Sequence, residues 1–200
     1  MKIRNYMLGT DFSHHNEIDL QYCGQQGFIF LKATEGKSMF DNNMDNDLRE
    51  IENNYWGTPP FIGFYHYAHP EFNSAKTESN FFLERIKPHI GNCMCALDFE
   101  GVALHVHDNE MWALEWLHNV QSQTGARPIF YVQASAVELF PKIIENGFPL
   151  WVACYSQESR ISRYPKAMEK ATFIQITSHP FDIDIFKGTP VDMAKIIQGR

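Results

Sequence analysis

Short apolar runs of strand length alternate along this chain with segments of helical character. Eight runs have the length and composition of β-strands, at residues 6–12, 27–33, 61–68, 93–101, 127–132, 149–155, 171–177 and 182–186. Helices are predicted at 45–55, from 73 or 74 to 86, at 108–123, at 134–145 and from about 191 onward. This alternation predicts parallel βαβ units. Eight strands in 200 residues indicate a small TIM-like β/α barrel, an α/β fold with fewer outer helices than strands.

The fourth run ends in two carboxylates, Asp98 and Glu100, followed by Gly101. Alternate side chains of a strand leave the same face, so the two acids share a face with their Cα atoms roughly 6.5 to 7 Å apart. Two solvated residues at a strand end would show the same spacing. In parallel barrels, however, functional groups lie at the carboxyl ends of the strands. We therefore expect the following residues to lie on one rim of the barrel: Asp11, Glu35, Tyr67, Asp98, Glu100, Tyr131, Tyr155 and Gln175.

Charge and cysteine content narrow the classes of function. The chain has 17 Lys and Arg against 24 Asp and Glu, a net charge of −7, which argues against a nucleic-acid partner. The four cysteines form no C-x-x-C pair, so we expect neither a zinc site nor a disulfide framework. In the N-terminal stretch, Asp11 interrupts the sequence before an apolar run of useful length. We therefore expect no signal peptide and no membrane insertion.

Seven motifs, in chain order from Asp11 to Gly188, resemble those of the glycoside hydrolase family 25 lysozymes, N-acetylmuramidases that cut peptidoglycan. They are D-x-S at 11–13, I-K-A-T-E-G at 31–36, G-x-Y-H-F/Y at 63–67, L-D-x-E at 97–100, T-G-x-x-P-x-x-Y at 124–131, L-W-x-A-x-Y at 150–155, and the D-L-N-x-F-x-G part of V-D-L-N-x-F-x-G at 182–188. The resemblance implies a flattened, incomplete β/α barrel. It also implies one catalytic domain over residues 1–200, a monomer without a separate wall-binding module.

The resemblance also implies roles for single residues. Glu100 becomes the general acid of glycoside hydrolysis, and Asp98 either orients the N-acetyl group of the substrate or activates water. Asp11 and Asp182 add negative charge, which favours the protonated form of Glu100. No cofactor is implied. The candidate substrate contacts are Glu35, Tyr65, Tyr67, Tyr131, Trp151, Tyr155 and Gln175. Core packing explains the aromatic residues equally well, and Glu35 could instead pair with Lys32.

Two motifs depart from the family pattern, at three positions. The usual W-Q-Y is replaced by Ile174-Gln175-Ile176, which removes two aromatic rings from beside Gln175. Asp184 stands where Asn is usual, two residues after Asp182. We take Asp182 as the fourth acid of the site and Asp184 as the alternative in a shifted register.

Two other functions fit parts of the sequence. A barrel that binds glycans without cutting them is consistent with the altered residues around Gln175. A metal-dependent deacetylase or amidase would use His105, His107 and Asp108 together with Asp98 and Glu100. For a muramidase the predicted partner is the peptidoglycan glycan strand, and its place of action is the cell wall, outside the cytoplasm. A phage lysin and a bacterial lysozyme both fit, and the export route stays open.

Overall fold

The computed structural model describes residues 6–15, 27–55, 57–155, 164–179 and 181–200, and within them nine strands form one sheet. The strands are β1 (Met7–Phe12), β2 (Phe28–Glu35), β3 (Met39–Phe40), β4 (Phe61–Tyr67), β5 (Met94–Asp98), β6 (Ile129–Gln133), β7 (Leu150–Ala153), β8 (Phe173–Thr177) and β9 (Ile183–Phe186). Their order is β1-β9-β8-β7-β6-β5-β4-β2-β3, and β1 also pairs with β2. This second pairing closes a barrel of eight strands, with β3 attached outside it. The predicted α/β barrel is confirmed.

The last strand of the barrel runs against its neighbours. The pairings from β1 through β2 and β4 to β8 are parallel, whereas β9 is antiparallel to both β8 and β1. The parallel pairing expected for all strands is therefore wrong for β9. Only residues 178–182 connect β8 to β9, and a parallel crossover needs a dozen or more residues. The start of β9 consequently lies at the rim where the parallel strands end.

The described residues form six α-helices: α1 (Met44–Asn54), α2 (Ala75–Ile86), α3 (Asn109–Thr124), α4 (Pro141–Glu145), α5 (Pro165–Lys170) and α6 (Pro190–Ile197). Ser74 caps α2, because its Oγ accepts the backbone N–H of Thr77 at 3.2 Å. Helix α3 ends at Gly125, which adopts the left-handed conformation with φ of 73°. Both helix boundaries agree with the sequence prediction.

The helix predicted over 134–145 is broken into two pieces. A 3-10 helix spans Ala134–Leu139, Phe140 leaves the helical conformation, and α4 begins at Pro141. Proline has no N–H group and disfavours a helical conformation in the residue before it, so an uninterrupted helix cannot form. The sequence also gave no indication of α5 or of the two-residue strand β3.

Two apolar layers hold the barrel together. Inside it, Phe30 stacks on Trp151 with ring centroids 4.7 Å apart, and Phe28, Phe173 and Phe186 complete an aromatic filling. Outside it, side chains of the opposite strand faces pack against Phe82 of α2 and Trp116 of α3; they include Ile29, Leu31, Phe64, Leu97 and Phe130. Strand alternation produces both layers, since neighbouring residues point to opposite faces. Helix α6 adds Met193 and Ile196 to the inner layer.

The aromatic filling requires a strand position without a side chain. A Cβ atom added to Gly63 on β4 would overlap the ring of Phe30 on β2. These two residues are direct partners in the parallel β2–β4 register. Glycine at position 63 therefore makes room for a phenylalanine inside the barrel.

Three of the four cysteines lie in the described part of the chain. Cys93, Cys95 and Cys154 are buried in apolar surroundings. Cys23 lies outside the described residues. In the described part of the chain, no helix combines the length and the hydropathy that crossing a bilayer would require.

Candidate active site

A cavity of about 240 Å³ opens at the carboxyl end of the parallel strands. Its walls come from distant parts of the chain: Asp11, Ser13, His15, Tyr65, Asp98, Glu100, Tyr131, Trp151, Tyr155, Gln175 and Asp182. Asp182 precedes β9 and reaches this rim because β9 is antiparallel. The four acids predicted as catalytic thus line one cavity.

Asp98 and Glu100 lie on the same side of the chain at the end of β5. Phe99, between them, points into the outer core and is fully buried. Glu100 is the extended residue before the 3-10 helix Gly101–His105, and Gly101 takes a φ of 58° there. The turn after β5 therefore leaves the Glu100 carboxyl at the mouth of the cavity and Asp98 deeper.

Burial governs the protonation of this pair. It raises the pKa of Asp98 well above its ordinary range, and the negative charges of Glu100 and Asp11 raise it further. Asp98 Oδ1 is buried, with no hydrogen-bond donor among the described residues. Burial also raises the pKa of Glu100, although the Lys32 ammonium opposes that shift. The site therefore favours a protonated carboxyl group beside its other acids.

Glu100 also borders a second cavity. This one measures about 430 Å³ and is lined in addition by Gln133, Ser135, Cys154 and Tyr164. Glu100, Tyr131 and Tyr155 line both cavities, which therefore form one cleft with Glu100 between its two parts.

Gln175 is the centre of the hydrogen-bond network in the cleft. Its Nε2 donates to Asp11 Oδ2 at 2.7 Å and to Asp182 Oδ1 at 3.3 Å. Its Oε1 accepts the hydroxyl groups of Tyr131 at 2.8 Å and Tyr155 at 3.2 Å. All polar atoms of this buried amide are thus used to position four side chains of the site.

The isoleucines beside Gln175 do not take part in this arrangement. Ile174 points away from the cavity and packs against the outer core. Ile176 is not among the residues that line the cavity. At position 174, the side chain that replaces the family's aromatic residue therefore faces away from the cleft.

The acids of β1 and β9 also have raised pKa values. Burial, followed by the charge of Asp182, raises the pKa of Asp11 to about 7. Burial raises the pKa of Asp182 to about 6. Asp184 lies beneath them: it is fully buried, and its Oδ1 accepts the indole N–H of Trp151 at 2.8 Å. Asp182 thus lies on the cavity wall, and Asp184 lies behind it.

Glu35 and Tyr67 extend the same rim beyond the main cavity. Glu35 Oε2 accepts Lys32 Nζ at 2.6 Å, and its Oε1 lies 3.0 Å from His69 Nε2. Burial alone would raise the pKa of Glu35, but these two contacts outweigh it and lower that pKa. Glu35 lines a neighbouring cavity of about 310 Å³ with His69 and the exposed Phe72. Burial and the charges of Glu100 and Asp98 raise the pKa of Tyr67 to about 12.

Lys32 is a site residue that the sequence analysis considered only as a partner of Glu35. It is 5% exposed, and its Nζ lies 5.1 Å from the centre of the Tyr67 ring. Phe28 and Phe30 precede it at alternate positions of β2, and strand alternation places all three side chains on the inward face. A lysine at an inward position could therefore have been recognised from the sequence as a candidate site residue. Lys32 supplies positive charge next to the acids of the rim.

The ligand set of the metal-dependent alternative is not assembled in the described residues. His107 is 93% exposed, and its Nδ1 pairs with Asp108 Oδ2 at 2.9 Å. Both residues line a surface cavity that includes neither Asp98 nor Glu100. Within the described ranges, no group of three or more His, Cys, Asp or Glu side chains is arranged to hold a metal ion.

Comparisons with known proteins agree with the barrel and its motifs. Residues 10–184 match the model of the family described as Glycosyl hydrolases family 25. The uncharacterized protein YegX of Escherichia coli K12 is 26% identical over 178 residues, which are 86% of this chain and 63% of that protein. The chain thus spans less than two thirds of the length of the curated relatives that it matches.

Two solved structures share the fold over almost the whole chain. A muramidase from Acremonium alcalophilum superposes with a TM-score of 0.78 at 21% identity, covering 97% of this chain and 100% of that one. A family GH25 lysozyme from Aspergillus fumigatus gives 0.78 at 21% identity, covering 98% and 100%.

Proposed function

The chain belongs to the glycosyl hydrolases of family 25, and we propose that it is a muramidase. Its substrate would be peptidoglycan, and the bond cleaved would be the β-1,4 link between N-acetylmuramic acid and N-acetylglucosamine. The observation that carries this proposal is the cleft in which Glu100 lies between two cavities, beside Asp11, Asp98 and Asp182.

Glu100 is the proposed general acid. Protonation of the leaving oxygen requires a carboxylic acid that keeps its proton at the working pH and reaches the substrate. Burial and a raised pKa meet the first requirement, and the position at the junction of the two cavities meets the second. The glycosidic oxygen would then lie at that junction, with one sugar in each cavity.

Asp98 lies deeper on the same face of the chain and is the proposed partner of Glu100. Two roles suit this position: it orients the N-acetyl group of the substrate for attack on the anomeric carbon, or it activates a water molecule. The first role retains the anomeric configuration and the second inverts it. Recording proton NMR spectra of the freshly released sugar end decides between them.

The aromatic residues of the cleft divide into floor and wall. Trp151 and Tyr131 are almost fully buried, and their polar atoms are bound to Asp184 and Gln175. They form the floor, as does Tyr65. Tyr155 is 38% exposed and lines both cavities. We assign Tyr155 as the ring on which a sugar stacks, with Tyr67 and Glu35 contacting the glycan strand further along the rim.

The proposed place of action is the cell wall, outside the cytoplasmic membrane, because that is where the glycan strands are. We propose that the barrel acts as one monomeric catalytic unit. With a net charge of −7, it would bind the strand through the cleft and not through general attraction to an anionic polymer.

The test is incubation of the protein with purified peptidoglycan, followed by measurement of new reducing ends and mass spectrometry of the released fragments. The proposal expects fragments that end in N-acetylmuramic acid. Binding to peptidoglycan without new reducing ends would instead establish the non-catalytic glycan-binding barrel.

A further inference from the structure

We propose that Asp184 is a buried carboxylic acid that stays protonated, donates a hydrogen bond to the Asp11 carboxylate, and thereby positions Asp11 in the cleft. The hydrogen bond is a property of the fold alone. Its catalytic consequence rests on the muramidase function proposed above.

The strand register brings the two acids together. On β9, Asp184 is paired with Gly9 of β1 on one side and with Gln175 of β8 on the other. Asp11 follows Gly9 by two residues, so it leaves β1 on the same face as the position opposite Asp184. The register therefore sets the carboxyl groups of Asp184 and Asp11 on the same face of neighbouring strands, and the negative charge of Asp11 raises the pKa of Asp184, as expected for neighbours.

The hydrogen-bond partners of Asp184 require a proton on this pair. Trp151 donates to Asp184 Oδ1, whereas Oδ2 is buried and has no N–H or hydroxyl donor among the described residues. Asp11 already accepts one donor, Gln175 Nε2. Because ionised carboxylates only accept hydrogen bonds, a bond between two carboxyl groups exists only while one of them carries the proton.

The exposure of the two groups decides which one holds that proton. Asp184 has no exposed surface and forms no ion pair with a cation of the described ranges, whereas Asp11 lines the cavity and is held by an amide donor. An ionised carboxylate costs more free energy in the drier environment. The proton therefore stays on Asp184, and its O–H bond to the Asp11 carboxylate is of the strong, charge-assisted kind.

The surrounding charges favour the same assignment. The titratable groups around the pair are the acids Asp98, Glu100 and Asp182, the phenols of Tyr65 and Tyr131, and the His15 imidazole, which lines the same cavity; Lys32 and His179 lie further out, beside Asp98 and Asp182. Lys32 is bound to Glu35, and His179 acts on Asp182. The charges that act directly on Asp11 and Asp184 are those of acids, which opposes a second negative charge on Asp184.

Asp184→Asn is the matched variant. The two side chains have nearly the same shape, the asparagine amide donates to Asp11 at every pH, and its oxygen still accepts from Trp151. The variant thus keeps the geometry and removes only the titration.

The first readout is the carboxyl carbon resonance of Asp184 in protein labelled with ¹³C-aspartate, assigned by its absence from Asp184→Asn. We expect it to remain at the protonated position up to about pH 8, where an exposed aspartate is fully ionised and where Asp11, whose pKa is about 7, is ionised as well. Titration like that of an exposed aspartate would overturn the proposal. If the variant does not fold, assignment in the wild-type protein by triple-resonance spectra gives the same answer.

The second readout is the rate of peptidoglycan cleavage against pH. The wild-type rate should fall at alkaline pH for two reasons: Glu100 loses its proton, and the shared proton of Asp184 leaves, so that the Asp11 and Asp184 carboxylates repel each other. Asp184→Asn should keep only the fall that loss of the Glu100 proton causes, so its alkaline limb should be less steep, and its rate should stay within about threefold of wild type at about pH 6. A rate lowered equally at all pH values would show a purely structural role for Asp184. If neither protein cleaves peptidoglycan, the muramidase proposal fails while the NMR titration still decides the protonation of Asp184.

Discussion

Gln175 Nε2 lies 2.7 Å from Asp11 Oδ2, a contact that joins β8 to β1 across the antiparallel strand β9. The same amide group accepts the hydroxyl of Tyr131 from β6. One buried side chain of β8 thus holds Asp11 and Asp182 in position relative to Tyr131 of β6.

Replacing Gln175 with leucine should therefore misplace Asp11 and leave it without its amide donor. We expect the unfolding free energy to fall by about 1–3 kcal/mol, the cost of leaving a buried polar group unpaired. The rate of peptidoglycan cleavage should fall at least tenfold, or about 1.4 kcal/mol of transition-state stabilisation. Urea unfolding and reducing-end assays measure the two effects. Gln123→Leu, on the exposed face of α3, is the matched control and should leave both unchanged.

Glu100→Gln should abolish cleavage and leave the fold intact. The amide keeps the size of the side chain but cannot donate a proton to the leaving oxygen, which costs about 100-fold or more in rate. Reducing ends released per minute give the rate, and circular dichroism reports the fold. Glu145→Gln at the exposed end of α4 should behave as wild type. Activity close to wild type in Glu100→Gln would remove this residue from the mechanism.

Lys32→Met should move the pH dependence of cleavage upward. The Lys32 charge lowers the pKa of Glu100 and of Asp98, so its loss lets burial raise both further. Glu100 then keeps its proton to a higher pH, and the alkaline limb of the rate profile shifts in that direction. Lys76→Met, on the exposed side of α2, serves as the control. An unchanged profile would mean that Lys32 has no electrostatic effect on the acids.

Ionisation of Asp182 should destabilise the folded protein as the pH rises, and Asp182→Asn should remove this effect. The folded protein holds a proton on Asp182 up to about pH 6, whereas the unfolded chain loses it near the ordinary value of 3.8. Since the folded state binds more protons in this window, the unfolding free energy of the wild-type protein falls as pH rises through it. The unfolding free energy of wild type minus that of Asp182→Asn should therefore decrease between about pH 4 and about pH 6, as measured by urea unfolding.

Asp192→Asn supplies a control of opposite sign for that experiment. Lys195 and Thr189 lower the pKa of Asp192 to about 2, so this group stabilises the fold above its ordinary pKa and loses that effect in acid. The unfolding free energy of wild type minus that of Asp192→Asn should increase as the pH rises from about 2 to about 4. If the unfolding free energy of wild type relative to the variant changed with pH in the same direction for Asp182→Asn and Asp192→Asn, the assigned pKa shifts of these two residues would be contradicted.

Gly63→Ala should destabilise the barrel from its interior. The added methyl group would overlap Phe30, and overpacking of this kind costs about 1–3 kcal/mol. The cost should be smaller when Phe30 is first shortened to leucine, which gives the methyl group space. Urea unfolding of the two single variants and the double variant measures this coupling, and strictly additive effects would show that the two residues do not compete for the space.

Local periodicity determined most of the fold and part of the site. The alternation of strands and helices predicted an eight-strand barrel, and the alternation of side chains placed Asp98 and Glu100 on one face. The motifs that resemble family 25 supplied the remaining acids. These inferences succeed because a side chain's face depends on residues next to it in the sequence.

The tertiary structure decided the direction of β9, the roles of Gln175 and Lys32, and the difference between Asp182 and Asp184. The hydrogen bond from Gln175 to Asp11 joins residues 164 positions apart, so it exists only once the barrel closes. Burial of Lys32 and Asp184, and hence their electrostatic effect, likewise depends on which strands become neighbours. The sequence by itself determined which chemical groups reach the rim, and barrel closure determined which of them touch, because contact between distant strands is a property of the whole sheet.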